Sequence, residues 1–168
     1  MLDFNDPISR SDGTLTTLKN MVQSVDHIKE ALTGPWTDLG SVQVALNTTG
    51  ATTDITSALT KADIEGYNIK IYLSIVDTDA DEDFVTTEHF IDGSVPASMF
   101  PPDPDHDPQS AEIDSYYYHP DIDGGGIVVR ILFDGATGKF KGTALNIGSY
   151  SVSDVRVNVK ISKRPKLG

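Results

Sequence analysis

Cysteine is absent from this chain of 168 residues, which excludes a disulfide framework and a thiolate metal site. Long apolar runs are absent too, and none approaches the ~20 residues that a membrane-spanning helix needs. The opening segment MLDFNDPISR carries two acids and no apolar stretch, which is not the pattern of a secretory signal. We therefore expect a soluble protein that is stabilised by its own packing or by assembly.

Positive charge is missing from the middle of the chain. No Lys or Arg lies between Lys70 and Arg130, whereas that stretch holds 14 acidic residues, and the net charge of the chain is −12. Nucleic acids and anionic membranes bind basic surfaces, so neither is expected as a partner. The excess acid either keeps the protein soluble or meets the basic C-terminal segment KISKRPKLG of a neighbouring subunit.

Catalytic motifs are missing as well. The sequence contains no GxSxG, HExxH or P-loop pattern, and the three glycines at 124–126 have neither a following helix nor a lysine. A hydrolase needs a nucleophile with a base, or a pair of acids, held in a pocket. We therefore expect a protein that is not an enzyme, and calcium is the one cofactor that the sequence suggests.

One amphipathic helix is predicted over residues 14–33, after an irregular arm at 1–13. Ser11 and Asp12 are suitable N-cap residues, and Gly34-Pro35 ends the helix because proline cannot continue it. Apolar residues recur three and four positions apart, which places them in one stripe along the helix. The stripe consists of Leu15, Leu18, Met21, Val22, Val25, Ile28 and Leu32.

The sequence leaves two possible contact surfaces for this stripe. It either covers an open face of the domain that follows, or it pairs with copies of itself. Heptad spacing over two turns, which copies of one helix would use to pair, is kept by Leu15, Leu18, Val22 and Val25.

After Trp36 the apolar period changes to two, which is typical of strands with one buried face. Clear alternation covers residues 42–46, 69–75, 127–133 and 155–161, and weaker strands are predicted at 52–57, 84–91 and 139–146. Many strands without alternating helices predict a mainly β fold, here an antiparallel β-sandwich or jelly-roll-like domain over 36–161. We also expect a β-bulge near Ser153–Asp154, a long acidic loop at 99–126 and a basic tail at 162–168.

The segment SIVDTDADEDFVTTEHF resembles a calcium-binding loop in its spacing. Asp77, Asp79 and Asp81 stand at the first, third and fifth places and Glu88 at the twelfth, as in an EF-hand. Glu82 occupies the sixth place, where that motif requires glycine, and the flanking residues are predicted strands. The segment is therefore either a calcium loop of another kind or an acidic hairpin tip in water.

Histidines and tyrosines supply two further candidate sites. His89, His106 and His119 lie in or near the acidic stretch, but their spacing matches no compact zinc motif, so we expect them at the surface. In DSYYYHP, three adjacent tyrosines offer flat amphipathic contact area. Tyr116, Tyr117 and Tyr118, with Trp36, either contact a glycan or a protein, or anchor the long loop to the sandwich.

The chain as a whole resembles the small accessory structural proteins of tailed-phage virions. The resemblance rests on the arm MLDFNDPISRSDG, the helix LTTLKNMVQSVDHIKEAL and the β-rich remainder without cysteine. It implies a non-enzymatic virion protein of the capsid decoration, head-spike, collar or tail-fibre attachment type. Such a protein is assembled in the host cytoplasm, forms symmetric homo-oligomers and contacts other structural proteins.

The alternative is a calcium-dependent carbohydrate-binding or host-attachment module, whose partner would be a cell-surface glycan.

Overall fold

The computed structural model describes residues 12–77, 82–100, 110–118, 126–148 and 155–167. The described part of the chain contains three helices: α1 (Asp12–Thr33), α2 (Lys61–Ile64) and α3 (Ser94–Ala97). It also contains nine strands, β1 (Thr37–Val44), β2 (Leu46–Asn47), β3 (Thr53–Asp54), β4 (Tyr67–Asp77), β5 (Glu82–Asp92), β6 (Ser110–Tyr118), β7 (Ile127–Asp134), β8 (Lys139–Asn146) and β9 (Val155–Pro165).

The strands form two packed sheets. The first has the order β1-β9-β4-β5, and the second has the order β2-β8-β7-β6 with β3 also on β8. Neighbouring strands are antiparallel except for the short pair β2 and β8. The predicted mainly β fold, an antiparallel sandwich preceded by one amphipathic helix, is thus confirmed.

The core lies between the two sheets, because alternate residues of each strand point inward. Phe133 of β7 is fully buried, and its ring lies edge-on to Phe140 with the centroids 4.9 Å apart. The inward aliphatic residues of β4, β7 and β9 are Ile69, Ile71, Leu73, Ile75, Ile127, Val129, Ile131, Val155, Val157, Val159 and Ile161. Burial of this apolar surface is the main term that stabilises the sandwich.

The predicted acidic loop at 99–126 is wrong, because β6 runs through its middle. Alternation was hidden there because Asp114 takes an inward position and the register shifts between Glu112 and Asp114. A β-bulge of this kind breaks the period of two that marks a strand in sequence. Residues 101–109 and 119–125 lie outside the described part.

The predicted basic tail at 162–168 is wrong as well. β9 continues to Pro165, and Lys163 and Arg164 stand opposite Ile69 and Asn68 of β4. Lys166 Nζ lies 3.0 Å from the Asp92 carboxylate. The basic residues therefore bind the C-terminal segment to its own chain, and they no longer support a contact between this segment and a neighbouring subunit.

Two local predictions concern the helix and the bulge. The helix predicted at 14–33 is confirmed. The segment FDGATGKF forms the hairpin that joins β7 to β8. Of the arm predicted at 1–13, residues 12 and 13 belong to α1. Residues 1–11 and the bulge predicted near Ser153–Asp154 fall outside the described residues. Register shifts occur elsewhere, in β1 between Asp38 and Gly40 and in β4 between Ile75 and Val76.

Asp134 organises the β7–β8 hairpin. Its carboxylate accepts hydrogen bonds from Lys141 Nζ at 2.7 Å and from the backbone N–H groups of Ala136 and Thr137 at 3.0 and 3.3 Å. The bond from Lys141, together with those from Thr137 and Ala136, lowers the pKa of Asp134 to about 2. The charged carboxylate thus stabilises the folded state.

We expect the stabilisation from Asp134 to be complete above pH 3.8, the ordinary value for this carboxyl, and to be lost as the pH falls through about 2. Replacing Asp134 by Asn should lower the free energy of unfolding at pH 7 by roughly 1–2 kcal/mol, and the deficit should shrink towards pH 2. Urea denaturation across this pH range measures both effects. Asp38→Asn, at an exposed ion pair with Lys160, is the control. Equal pH dependence in both variants would contradict the prediction.

Candidate functional site

Most of the described side chains in the apolar stripe of α1 are exposed to solvent. Four of its side chains, Met21, Val22, Val25 and Ile28, are exposed by 60%, 60%, 62% and 45%. No described side chain of α1 belongs to the buried core, and the helix approaches the sandwich along β9. The stripe therefore does not cover an open face of the sandwich, which was the first of its two predicted partners.

A helix in this position lacks the packing that normally stabilises helices. α1 has 22 residues, which gives a rod of ~33 Å. Most helical stability in proteins comes from burial of the apolar face rather than from intrinsic propensity. Contiguous exposed apolar residues of this size mark a surface that another molecule covers. The stripe is thus the strongest candidate site in the described residues.

A second surface lies on the outer face of the first sheet, close in sequence to the end of α1. The rings of Trp36 and Phe90 have centroids 5.8 Å apart, and Phe90 is 61% exposed. Lys70 Nζ and Arg164 Cζ lie 4.8 and 4.7 Å from the Trp36 centroid, which is cation–π distance. We call Trp36 and Phe90 the aromatic platform. Phe90 was missed in the sequence because it occupies the position of a polar, outward residue in its strand.

A third feature closes the side of the sandwich where β5 and β6 form the sheet edges. His89 Nδ1 of β5 lies 2.8 Å from Asp114 Oδ2 of β6, and the His89 ring meets Tyr116 edge-on at 5.9 Å. The cleft beside this pair has a volume of about 10 Å³ and a largely apolar lining that includes Ile71 and Ile131. That volume is roughly the space for one water molecule. The pair therefore connects the two sheets.

The predicted calcium ligands do not all come together. Asp77 stands opposite Glu82 at the end of β4, whereas Glu88 stands opposite Tyr72, five residues before Asp77 in that strand. Five residues of strand span roughly 17 Å, which is too far for Asp77 and Glu88 to ligate one ion. Glu88 Oε1 instead lies 3.3 Å from Lys70 Nζ. Glu88 is thus wrong as the twelfth-position ligand.

The rest of the metal predictions remain open. Asp79 and Asp81 lie outside the described residues, so calcium binding at Asp77, Asp79 and Asp81 stays a prediction. His106 and His119 also lie outside them. Among the residues that the structure describes, no three His, Asp or Glu side chains converge to hold a metal ion.

The predicted aromatic contact residues are also separated. Tyr116 and Tyr118 are half-buried against the core, and Tyr117 is 51% exposed on the outer face of the second sheet. Trp36 lies with Phe90 on the outer face of the first sheet, on the other side of the sandwich. These four aromatic residues therefore do not form one site. Tyr116 and Tyr118 pack against the core as part of β6, whereas the second interpretation had them anchoring a long loop.

Comparison with known proteins gives no further guide. No family model matches the chain, and neither the curated proteins nor the solved structures gave a significant match. Across the described ranges, no helix combines the length and apolar character needed to cross a membrane. Surface chemistry is therefore the basis for inferring function.

We expect the His89–Asp114 pair to stabilise the sandwich edge. Asp114→Asn should lower the free energy of unfolding by roughly 1–3 kcal/mol, since it weakens a charge-assisted bond between two half-buried side chains. Glu112→Gln is the matched control on the same strand, because its pair with Arg130 is exposed and should change stability by less than about 1 kcal/mol. Urea denaturation at pH 6 gives both values. Equal losses would contradict a special role for the pair.

Proposed function

We propose that this protein is a non-enzymatic structural component that forms symmetric homo-oligomers through α1. The observation that carries this proposal is the exposed stripe of Met21, Val22, Val25 and Ile28 on a helix outside the core. The sandwich itself has a dense core, with Phe133, Phe140 and Ile161 fully buried. A well-packed sandwich beside one helix with an exposed apolar face is what we expect of a subunit in a larger assembly.

A second copy of the same chain is the partner that best fits the stripe. Leu18, Met21, Val25 and Ile28 follow one another at intervals of three, four and three residues, the spacing by which identical helices interlock. Symmetric homo-oligomers are also the commonest form of protein assembly. The stripe would thus be covered by the same surface of neighbouring subunits.

The edge cleft supports a non-enzymatic role. His89 and Asp114 are the closest described approach to a catalytic pair, but the space beside them admits about one water molecule. Catalysis by such a pair requires a substrate within hydrogen-bond reach.

The virion setting is the wider part of this proposal. A helix followed by a β-sandwich is compatible with the accessory proteins of tailed-phage particles, of the decoration, head-spike, collar or tail-fibre attachment type. Such a protein would bind other structural proteins of the particle. Mass spectrometry of purified virions whose genome encodes this chain tests the proposal, because a virion component must be present in a fixed copy number.

Glycan binding is the second candidate function, and the aromatic platform favours it. Exposed Phe90 beside Trp36 offers stacking area for a sugar, while Lys70 and Glu88 supply hydrogen-bonding groups at its border. Calcium at Asp77, Asp79 and Asp81 would belong to this host-attachment role. Trp36 is the one tryptophan of the chain, so its fluorescence during titration with glycans reports binding. Phe90→Ala should remove the response, and Tyr117→Ala should leave it.

We expect the double variant Met21→Glu with Val25→Glu to be a monomer, because two carboxylates in the stripe would be buried and repel one another. Its β-sheet circular dichroism should be retained, since neither residue belongs to the core. Light scattering measures the mass. Asn20→Glu with Gln23→Glu adds the same charge at exposed positions outside the stripe and should remain oligomeric.

Two results would contradict this prediction. A native chain that has the mass of one subunit at high protein concentration would contradict assembly through α1. So would a Met21→Glu, Val25→Glu variant with the native mass.

A further inference from the structure

The cations around the aromatic platform differ in how their charge is compensated. At the outer face of the first sheet, three ion pairs each match one carboxylate with one lysine: Asp38 with Lys160, Glu88 with Lys70 and Asp92 with Lys166, at 3.0, 3.3 and 3.0 Å. Arg164 stands opposite Asn68 on the same face. No carboxylate in the described residues forms an ion pair with Arg164.

Arg164 is also partly withdrawn from water. The residue is half-buried, and its Nε is buried without a hydrogen bond. A buried N–H of a charged group that lacks a partner costs free energy. The guanidinium Cζ lies 4.7 Å from the Trp36 centroid, and a guanidinium that stacks on an aromatic ring can still donate hydrogen bonds in its own plane. Arg164 therefore has unused capacity to bind an anion.

The aromatic platform adds an apolar requirement to this anionic one. Exposed Phe90 contacts the same Trp36 ring as Arg164 does, so one small ligand can reach both residues. An aromatic ring offers a flat apolar face to the C–H groups of a sugar, whereas a guanidinium binds a carboxylate through two parallel hydrogen bonds. A neutral sugar would leave Arg164 without an anion, and a free carboxylate would leave Phe90 exposed. A sugar that bears a carboxylate satisfies both.

Local charge permits an acidic ligand here, although the net charge of the chain is −12. The three carboxylates of this face are each paired with a lysine, which offsets their charge. The acidic residues between β4 and β5 begin at Asp77, seven residues along the strand from Lys70. Seven residues of strand span roughly 23 Å, and charges further apart than about 10 Å are largely screened at 0.1 M salt.

From these observations we propose that the aromatic platform binds an acidic saccharide, whose carboxylate pairs with Arg164 while its sugar ring stacks on Phe90. This inference rests on glycan binding, the second candidate function, and names the class of glycan that the platform takes. Because the contact includes an ion pair at the protein surface, binding weakens as salt is raised.

Titration calorimetry with matched acidic and neutral sugars tests the proposal. One pair is the trisaccharide of galacturonic acid and the identically linked trisaccharide of galactose, and the other is sialyllactose and lactose. We expect at least one acidic sugar to bind about tenfold or more tighter than its neutral counterpart, because only the acid forms the charge-assisted bond. Equal or tighter binding of the neutral sugar in both pairs would overturn this inference and leave glycan binding standing. Binding of none of the four would overturn both.

Two arginine variants locate the contact. Arg164→Gln should weaken binding of the acidic sugar by about tenfold or more and remove the preference over its neutral counterpart. Arg156→Gln removes the same charge from an exposed position at the other end of β9, and it should bind as the native chain does. Circular dichroism checks the fold of both variants. If Arg164→Gln keeps the native preference, or if both variants lose it alike, the proposal is overturned. Should Arg164→Gln prove unfolded, the preference of the native chain alone decides.

Discussion

The antiparallel pairing of β4 with β9 is the contact on which the rest of the structure depends. It runs the full length of both strands, from Tyr67 opposite Pro165 to Asp77 opposite Val155. These two strands form the centre of the first sheet and supply the inward face that meets Phe133 and its neighbours. The same pairing positions Lys70 and Arg164 beneath Trp36, at the foot of α1. The core, the aromatic platform and the attachment of α1 therefore all depend on the pairing of β4 with β9.

Alternation in the sequence predicted the strands whose inward residues are all apolar. β4, β7 and β9 are examples, because apolar residues mark the buried face of each strand throughout. β6 was not predicted, because its inward positions hold Asp114 and tyrosines. The partner that makes an inward Asp114 tolerable is His89, 25 residues earlier in the sequence, and sequence alone cannot identify such a pair. The basic end of β9 was misread for a related reason, since Lys166 pairs with the distant Asp92.

The candidate site was predictable in part. Periodicity placed the stripe on α1, but exposure depends on where the rest of the chain lies, and the helix could equally have covered a sheet. The predicted calcium loop shows a case in which a sequence motif is misleading. Asp77 and Glu88 match a motif counted along the chain, whereas the register of β4 with β5 separates them in space. Spacing in sequence identifies a ligand set only when the intervening residues adopt the geometry of the motif.

Because the apolar surface of α1 is not covered by the described part of its own chain, the helix and the sandwich differ in what stabilises them. The sandwich is maintained by contacts within one chain, so its order is independent of how many molecules are present. In the proposed assembly, neighbouring subunits would stabilise α1, and mass action would then link its helix content to protein concentration. A dilute solution would contain folded sandwiches with a fraying α1, and a higher concentration would complete the helix. Under this proposal the sandwich folds alone, whereas α1 is completed by assembly.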